Sequence, residues 1–125
     1  MPTTAITDVR SIGVTVTDQD RALAFYVGVL GFAKTLDAPV GPTMRWIEVA
    51  PPGASTSLAL TADPNRKEPT DTGIRFTLPD AAAEHAALRA RGVQVGELLE
   101  WAGVPPMFTF DDPDGNRFYV VQDMS

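Results

Sequence analysis

The chain has 125 residues, 44% hydrophobic and 21% charged, enough apolar content for a packed core and too much for a disordered chain. The net charge is −6 and lysine occurs only at Lys34 and Lys67, which excludes the clustered cations that nucleic acid requires, while an acidic balance suits a cationic small molecule or simple solubility. With no cysteine there is no disulfide framework or thiolate chemistry, and every apolar run is interrupted before it could span a membrane. Met1-Pro2-Thr3-Thr4 does not read as a signal peptide, so the expected location is cytoplasmic.

Residues 9–16 alternate as a strand. Asp18 follows as a helix N-cap, and Ala22, Phe25, Tyr26, Val29 and Leu30 recur at helical spacing on one face. Gly31 supplies the stop. Residues 43–50 form a second strand, Pro51-Pro52-Gly53 a turn, and residues 55–61 its partner. Residues 63–70, polar and with two prolines, read as a linker. A strand over 72–78, a helix over about 80–90 ending at Gly92, and a hairpin of 106–111 with 116–122 complete the chain. Asp112-Pro113-Asp114-Gly115 suits a type I turn; its calcium-loop appearance fails on the spacing to a later Glu.

The second half repeats the first. Ile12-Gly13-Val14-Thr15-Val16-Thr17-Asp18 returns as Ile74-Arg75-Phe76-Thr77-Leu78-Pro79-Asp80. Ser11 matches Gly73, Asp18 matches Asp80, and Ala59 matches Tyr119. Neither copy alone could bury its sheet. The expected architecture is therefore one α+β domain over 1–125. Its two modules, about 7–62 and 71–123, face each other across a cleft between concave sheets.

Strand alternation sorts the side chains. Ile12, Val14, Val16, Leu58 and Leu60 share the helix-facing side in the first copy; Ile74, Phe76, Leu78, Phe118 and Val120 do so in the second. The opposite face then carries Ser11, Gly13, Thr15, Ser57, Ala59 and Thr61, with Met44, Trp46 and Glu48. In the second copy it carries Gly73, Arg75, Thr77, Arg117, Tyr119 and Val121, with Met107 and Thr109. Small residues leave volume, aromatics and methionines give flat apolar walls, and Arg75, Arg117 and Glu48 give charge. That combination describes a small-molecule site. Two readings of Trp46 and Tyr119 stand together here: walls of a site, or plugs of a core.

Val16-Thr17-Asp18-Gln19-Asp20-Arg21-Ala22-Leu23-Ala24-Phe25-Tyr26 with Leu30-Gly31-Phe32, and Asp112-Pro113-Asp114-Gly115-Asn116, resemble the two signatures of the vicinal oxygen chelate superfamily. That group includes glyoxalases, extradiol dioxygenases, fosfomycin-resistance enzymes and bleomycin-resistance proteins. The resemblance implies two βαβββ modules and a homodimer. It also implies metal ligands at four positions, which here are Ser11, Ala59, Gly73 and Tyr119. None is a good ligand for a divalent metal. His85, the single histidine, lies on the second helix and reads as a solvated residue. The resemblance therefore points to a branch with no metal and no cofactor.

Three functions compete. The first is a non-enzymatic binder that confers antibiotic resistance by sequestering a hydrophobic or aromatic natural product: bleomycin-like, enediyne-like or mitomycin-like. Its contacts would come from Ser11, Met44, Trp46, Glu48, Ala59, Arg75, Trp101, Met107, Thr109 and Tyr119. Bleomycin binders carry a stacking Trp just before the last hairpin; that slot is nearer Val104 here, three residues after Trp101. The second is a metal-independent isomerase or lyase with Glu48 as base and Arg75 or Tyr119 as electrophile. The third is a small interaction or regulatory domain.

Overall fold

A computed structural model describes residues 3–66 and 68–124; Met1, Pro2, Lys67 and Ser125, including the first two residues of the leader reading and one linker lysine, lie outside the described residues. The chain forms two compact units, Met1–Pro64 and Asn65–Ser125.

The first unit begins with β1 (Ser11–Val16) and α1 (Gln19–Leu23), which widens into a π-helical segment over Ala24–Val29. Strands β2 (Ala33–Val40), β3 (Met44–Ala50) and β4 (Ser57–Ala62) follow. The sheet order is β1-β4-β3-β2, with β1 parallel to β4 and the other pairs antiparallel. The second unit repeats this with β5 (Thr70–Leu78), α2 (Ala81–Ala90), β6 (Gln94–Val95), β7 (Met107–Asp111) and β8 (Asn116–Gln122). Its order is β5-β8-β7-β6, with β5 parallel to β8. The tandem βαβββ architecture and the α+β class are thus observed.

Local chemistry explains the helices. Asp18 accepts from the amides of Asp20 and Arg21 at 2.9 and 3.1 Å, and Asp80 from that of Ala83 at 3.1 Å, satisfying donors that a helix start leaves unpaired. Gly31 and Gly92 end the helices at φ 79 and 83. The first helix is not the regular α-helix its spacing predicts. The Leu30 amide reaches back to the Phe25 carbonyl at 2.9 Å, a wider turn that keeps Phe25 and Tyr26 buried.

The core of each unit lies between sheet and helix. Val14, Val16, Ile47, Val49, Leu58 and Leu60 meet Ala22, Phe25 and Tyr26 in the first. In the second, Phe76, Phe110 and Phe118 form a ring cluster with centroids 5.2 to 6.2 Å apart, a spacing at which rings attract beyond their area burial.

Three expectations need correction. Strand β2 is absent from the sequence reading because its alternation is weak: only Leu36 and Ala38 are half-buried along its length. It is an edge strand, where Pro39 and the charges of Lys34 and Asp37 are tolerated. The two-residue β6 is too short for any periodic signal. His85 is not a solvated helix residue. It is half-buried, its ring stands edge-on to Phe108 at 5.1 Å, and its Nε2 donates to the Gly96 carbonyl at 2.7 Å.

Candidate functional site

In the first unit, Glu48 pairs with Ala59 across β3 and β4. Because side chains alternate, Met44, Trp46 and Glu48 share one face with Ser57 and Ala59, while Ile47, Val49, Leu58 and Leu60 are buried on the other. Trp46 is 38% exposed and Met44 60%, so Trp46 is not a core plug. Ala59 is buried, and Ser11 is half-buried beside Ser57, its ladder partner.

Glu48 is the unusual group. It is 4% exposed. Ser57 Oγ donates to its Oε1 at 2.5 Å, Trp46 Nε1 donates to its Oε2 at 2.7 Å, and Arg10 Nη2 stands 3.8 Å away. The donated bonds from Ser57 and Trp46 hold its pKa below the ordinary glutamate value, against the opposing effect of burial, with a smaller contribution from Arg10. Beside it lies a depression of about 300 Å³ lined by Arg10, Thr35, Leu36, Ala50, Ala54, Ser55, Ser57 and Glu48 itself.

The second unit presents a different face. Arg75, Tyr119 and Thr109 lie side by side across three strands. The Arg75 guanidinium stands 4.9 Å over the Tyr119 ring and Arg75 Nη1 donates to the Gly73 carbonyl at 2.9 Å. Tyr119 Oη donates to Asp71 Oδ2 at 2.6 Å, and Asp71 Oδ1 accepts from the Gly73 amide at 3.0 Å. These bonds, the Tyr119 hydroxyl first, lower the Asp71 pKa; the same carboxylate raises that of the Tyr119 phenol. Arg117 is held by Asp111 through Nε at 3.0 Å and Nη2 at 3.3 Å, which raises its pKa. Met107 is half-buried, and Trp101 is 62% exposed in the segment between β6 and β7.

Residues 9–120 match the glyoxalase/bleomycin resistance protein/dioxygenase superfamily. The chain belongs to this superfamily. A superfamily member of solved structure from Sphaerobacter thermophilus DSM 20745 is 36% identical, covers 94% of this chain and 98% of its own, and superposes with a TM-score of 0.87. TnmS3, described as an antibiotic binding protein, from Streptomyces sp. CB03234, is also 36% identical, with coverage of 96% and 98% and a TM-score of 0.84. The YetH protein of Bacillus subtilis (strain 168) is 33% identical over 122 residues, 94% of this chain and 99% of its own.

Metal-dependent superfamily members need converging donors, and the residues here do not fit that need. Ser11 and Tyr119 offer hydroxyls, Ala59 and Gly73 offer no side-chain donor, and the Tyr119 hydroxyl is bonded to Asp71. Among the described residues no three His, Cys, Asp or Glu side chains form a group able to hold a metal ion.

The ladder also revises one equivalence. Sequence spacing matches Ser11 with Gly73, but Ser11 pairs with Ser57 while Asp71 pairs with Arg117, and the β5 register shifts between Asp71 and Arg75. Gly73 sits in that irregularity at φ 68. Asp71, at the start of the second module, is therefore the β5 residue that pairs with Arg117. Sequence reasoning also missed Arg10, which precedes β1, and the partnership of Ser57 with Glu48. Alternation placed Ser57 and Glu48 on one face; it carries no signal for their hydrogen bond.

Proposed function

We propose that this chain is a non-enzymatic small-molecule-binding protein that sequesters a hydrophobic or aromatic natural product and so confers resistance to it. The observation that carries this reading is the Trp46 ring, exposed on the sheet face yet fixed by its bond to a buried carboxylate. A ring already held in place loses little freedom when a planar guest stacks on it. Ser11, Met44, Ala59, Arg75, Trp101, Met107, Thr109 and Tyr119 remain the proposed supporting contacts, and the ligand class is bleomycin-like, enediyne-like or mitomycin-like. The likeness to TnmS3 supports an antibiotic as guest.

The isomerase or lyase alternative has less support. A general base works best with a pKa near the operating pH, whereas Glu48 has a lowered one and both its oxygens already accept bonds. The proposed assembly is a cytoplasmic homodimer, because β1, β2, β5 and β6 are sheet edges that a second copy can cover.

The deciding experiment is a screen of planar antibiotics by tryptophan quenching, followed by mass analysis of the recovered compound. An unchanged ligand supports sequestration; a changed one overturns it. Sedimentation showing only a species of 13.4 kDa would overturn the dimer.

A further inference from the structure

The two units contain the same depression in two versions. Glu48 pairs with Ala59, and Thr109 pairs with Tyr119. Through the repeat, Glu48 therefore corresponds to Thr109, Ala50 to Asp111, and Ser57 to Arg117. The second depression is lined by Gln94, Val95, Gly96, Thr109, Asp111 and Arg117 and measures about 120 Å³. There Arg117 and Asp111, both in the lining, are bonded to each other. In the first unit that ion pair is replaced by Ser57 and Ala50, and the space grows to about 300 Å³ with a buried carboxylate in its wall.

We propose that the larger depression is a subsite for a basic amine carried by the aromatic ligand, with the Glu48 carboxylate as its counter-ion. This rests on the aromatic-binding reading above, because Trp46 and Glu48 stand two residues apart on one face of β3 and one guest can reach both.

The charge of the guest follows from Glu48 and Arg10. A carboxylate has about four acceptor sites, and Ser57 and Trp46 each donate to one of its oxygens. Arg10 approaches only to 3.8 Å, with its side chain 80% exposed. It is a loose partner that an ammonium with short, direct hydrogen bonds can displace. An anion seated on Arg10 would instead lie beside a carboxylate that is already ionised and hard to protonate. Like charges at that separation repel, so the anion is the disfavoured guest. The Ser57 hydroxyl and the wall of Leu36, Ala50 and Ala54 suit the methylenes next to an amine.

The test uses the intact chain and three probes: naphthylethylamine, its N-acetyl derivative and naphthylacetic acid, titrated by calorimetry at low salt. The amine is expected to bind about tenfold more tightly than the N-acetyl compound, and the acid most weakly. Glu48→Gln retains a carbonyl oxygen to accept from Trp46. It should abolish the preference for the amine and leave the N-acetyl compound within about twofold. Arg10→Ala, at an exposed residue, should strengthen amine binding. Three probes binding equally would overturn the amine subsite and leave the aromatic reading standing. The acid binding best, with loss on Arg10→Ala, would overturn it in favour of an anion site. Failure of all three to bind would overturn both.

Discussion

The Trp46 indole N–H donates to Glu48 Oε2 at 2.7 Å, joining a ring that is 38% exposed to a carboxylate that is 4% exposed. The two residues are neighbours on one face of β3, and Ser57 on β4 holds the other carboxylate oxygen. The ring is therefore positioned from beneath by a group that solvent barely reaches. Arg45, immediately before Trp46 in sequence, falls on the other face by alternation and is tied to Asp20 and Asp37.

This arrangement separates binding from stability. Trp46→Ala should weaken a planar ligand at least about tenfold, as loss of a central aromatic anchor does. Its stability cost should stay well below the ~3–5 kcal/mol typical of a buried aromatic truncated to Ala. Calorimetric affinity and melting temperature of this single variant check both parts. A collapse in melting temperature, or unchanged affinity, would remove Trp46 from the site.

The sequence carries much of this geometry and misses a definable part. Period-two alternation places Trp46, Glu48 and Ser57 on one face because β3 and β4 are regular and their opposite face is buried. Alternation does not report depth, so the burial of Glu48 under its partners is invisible until packing is seen. Strand β2 escapes because an edge strand with one half-exposed face needs no apolar rhythm. Asp71 escapes because the register shift at Gly73 breaks the spacing that would equate it with Ser11. In the last two cases the signal was overridden locally, by an edge or a bulge.

Acid should destabilise the protein in a defined window. The folded-state pKa of Glu48 lies below the ordinary 4.5, and that of Asp37, bonded to Arg45 and Lys34, falls from 3.8 to about 2. The unfolded chain thus binds more protons than the folded one as pH drops, and stability falls. The contribution is fully present above pH 4.5 and is lost progressively toward pH 2. Glu48→Gln should remove a salt-insensitive part of this slope, because Glu48 is buried. Asp37→Asn should remove a part that added salt also suppresses. Melting curves from pH 7 downward, at two salt concentrations, test the division.

The turn before β8 should be a point of high cost. Asp112 is buried and accepts from the amides of Asp114 and Asn116 at 2.8 and 2.9 Å and from Asn116 Nδ2 at 2.8 Å. Asn116 is itself only 1% exposed. Asp112→Ala strips three bonds from buried or half-buried donors, which predicts a loss of ~3 kcal/mol. Asp112→Asn, which keeps one acceptor oxygen, should lose less. Chemical denaturation of the two variants gives the order directly, and equal losses would show that the carboxylate acts through something other than these bonds.

Tyr119 and Asp71 offer a spectroscopic check on the second unit. The Asp71 carboxylate accepts the phenol proton, so ionising Tyr119 would break that bond and place two negative charges together. The phenol is accordingly raised above its ordinary 10.0, despite the opposing charges of Arg75 and Arg117. Ultraviolet titration should show an accessible tyrosine ionising later than a free phenol; the chain has only one other tyrosine, Tyr26, which is fully buried. Asp71→Asn removes the neighbouring charge while leaving both arginines, so the same transition should move to lower pH. Arg75→Gln should move it further upward. If Asp71→Asn leaves the transition in place, the bond does not persist in solution, and the Arg75–Tyr119 stack is left to orient the ring.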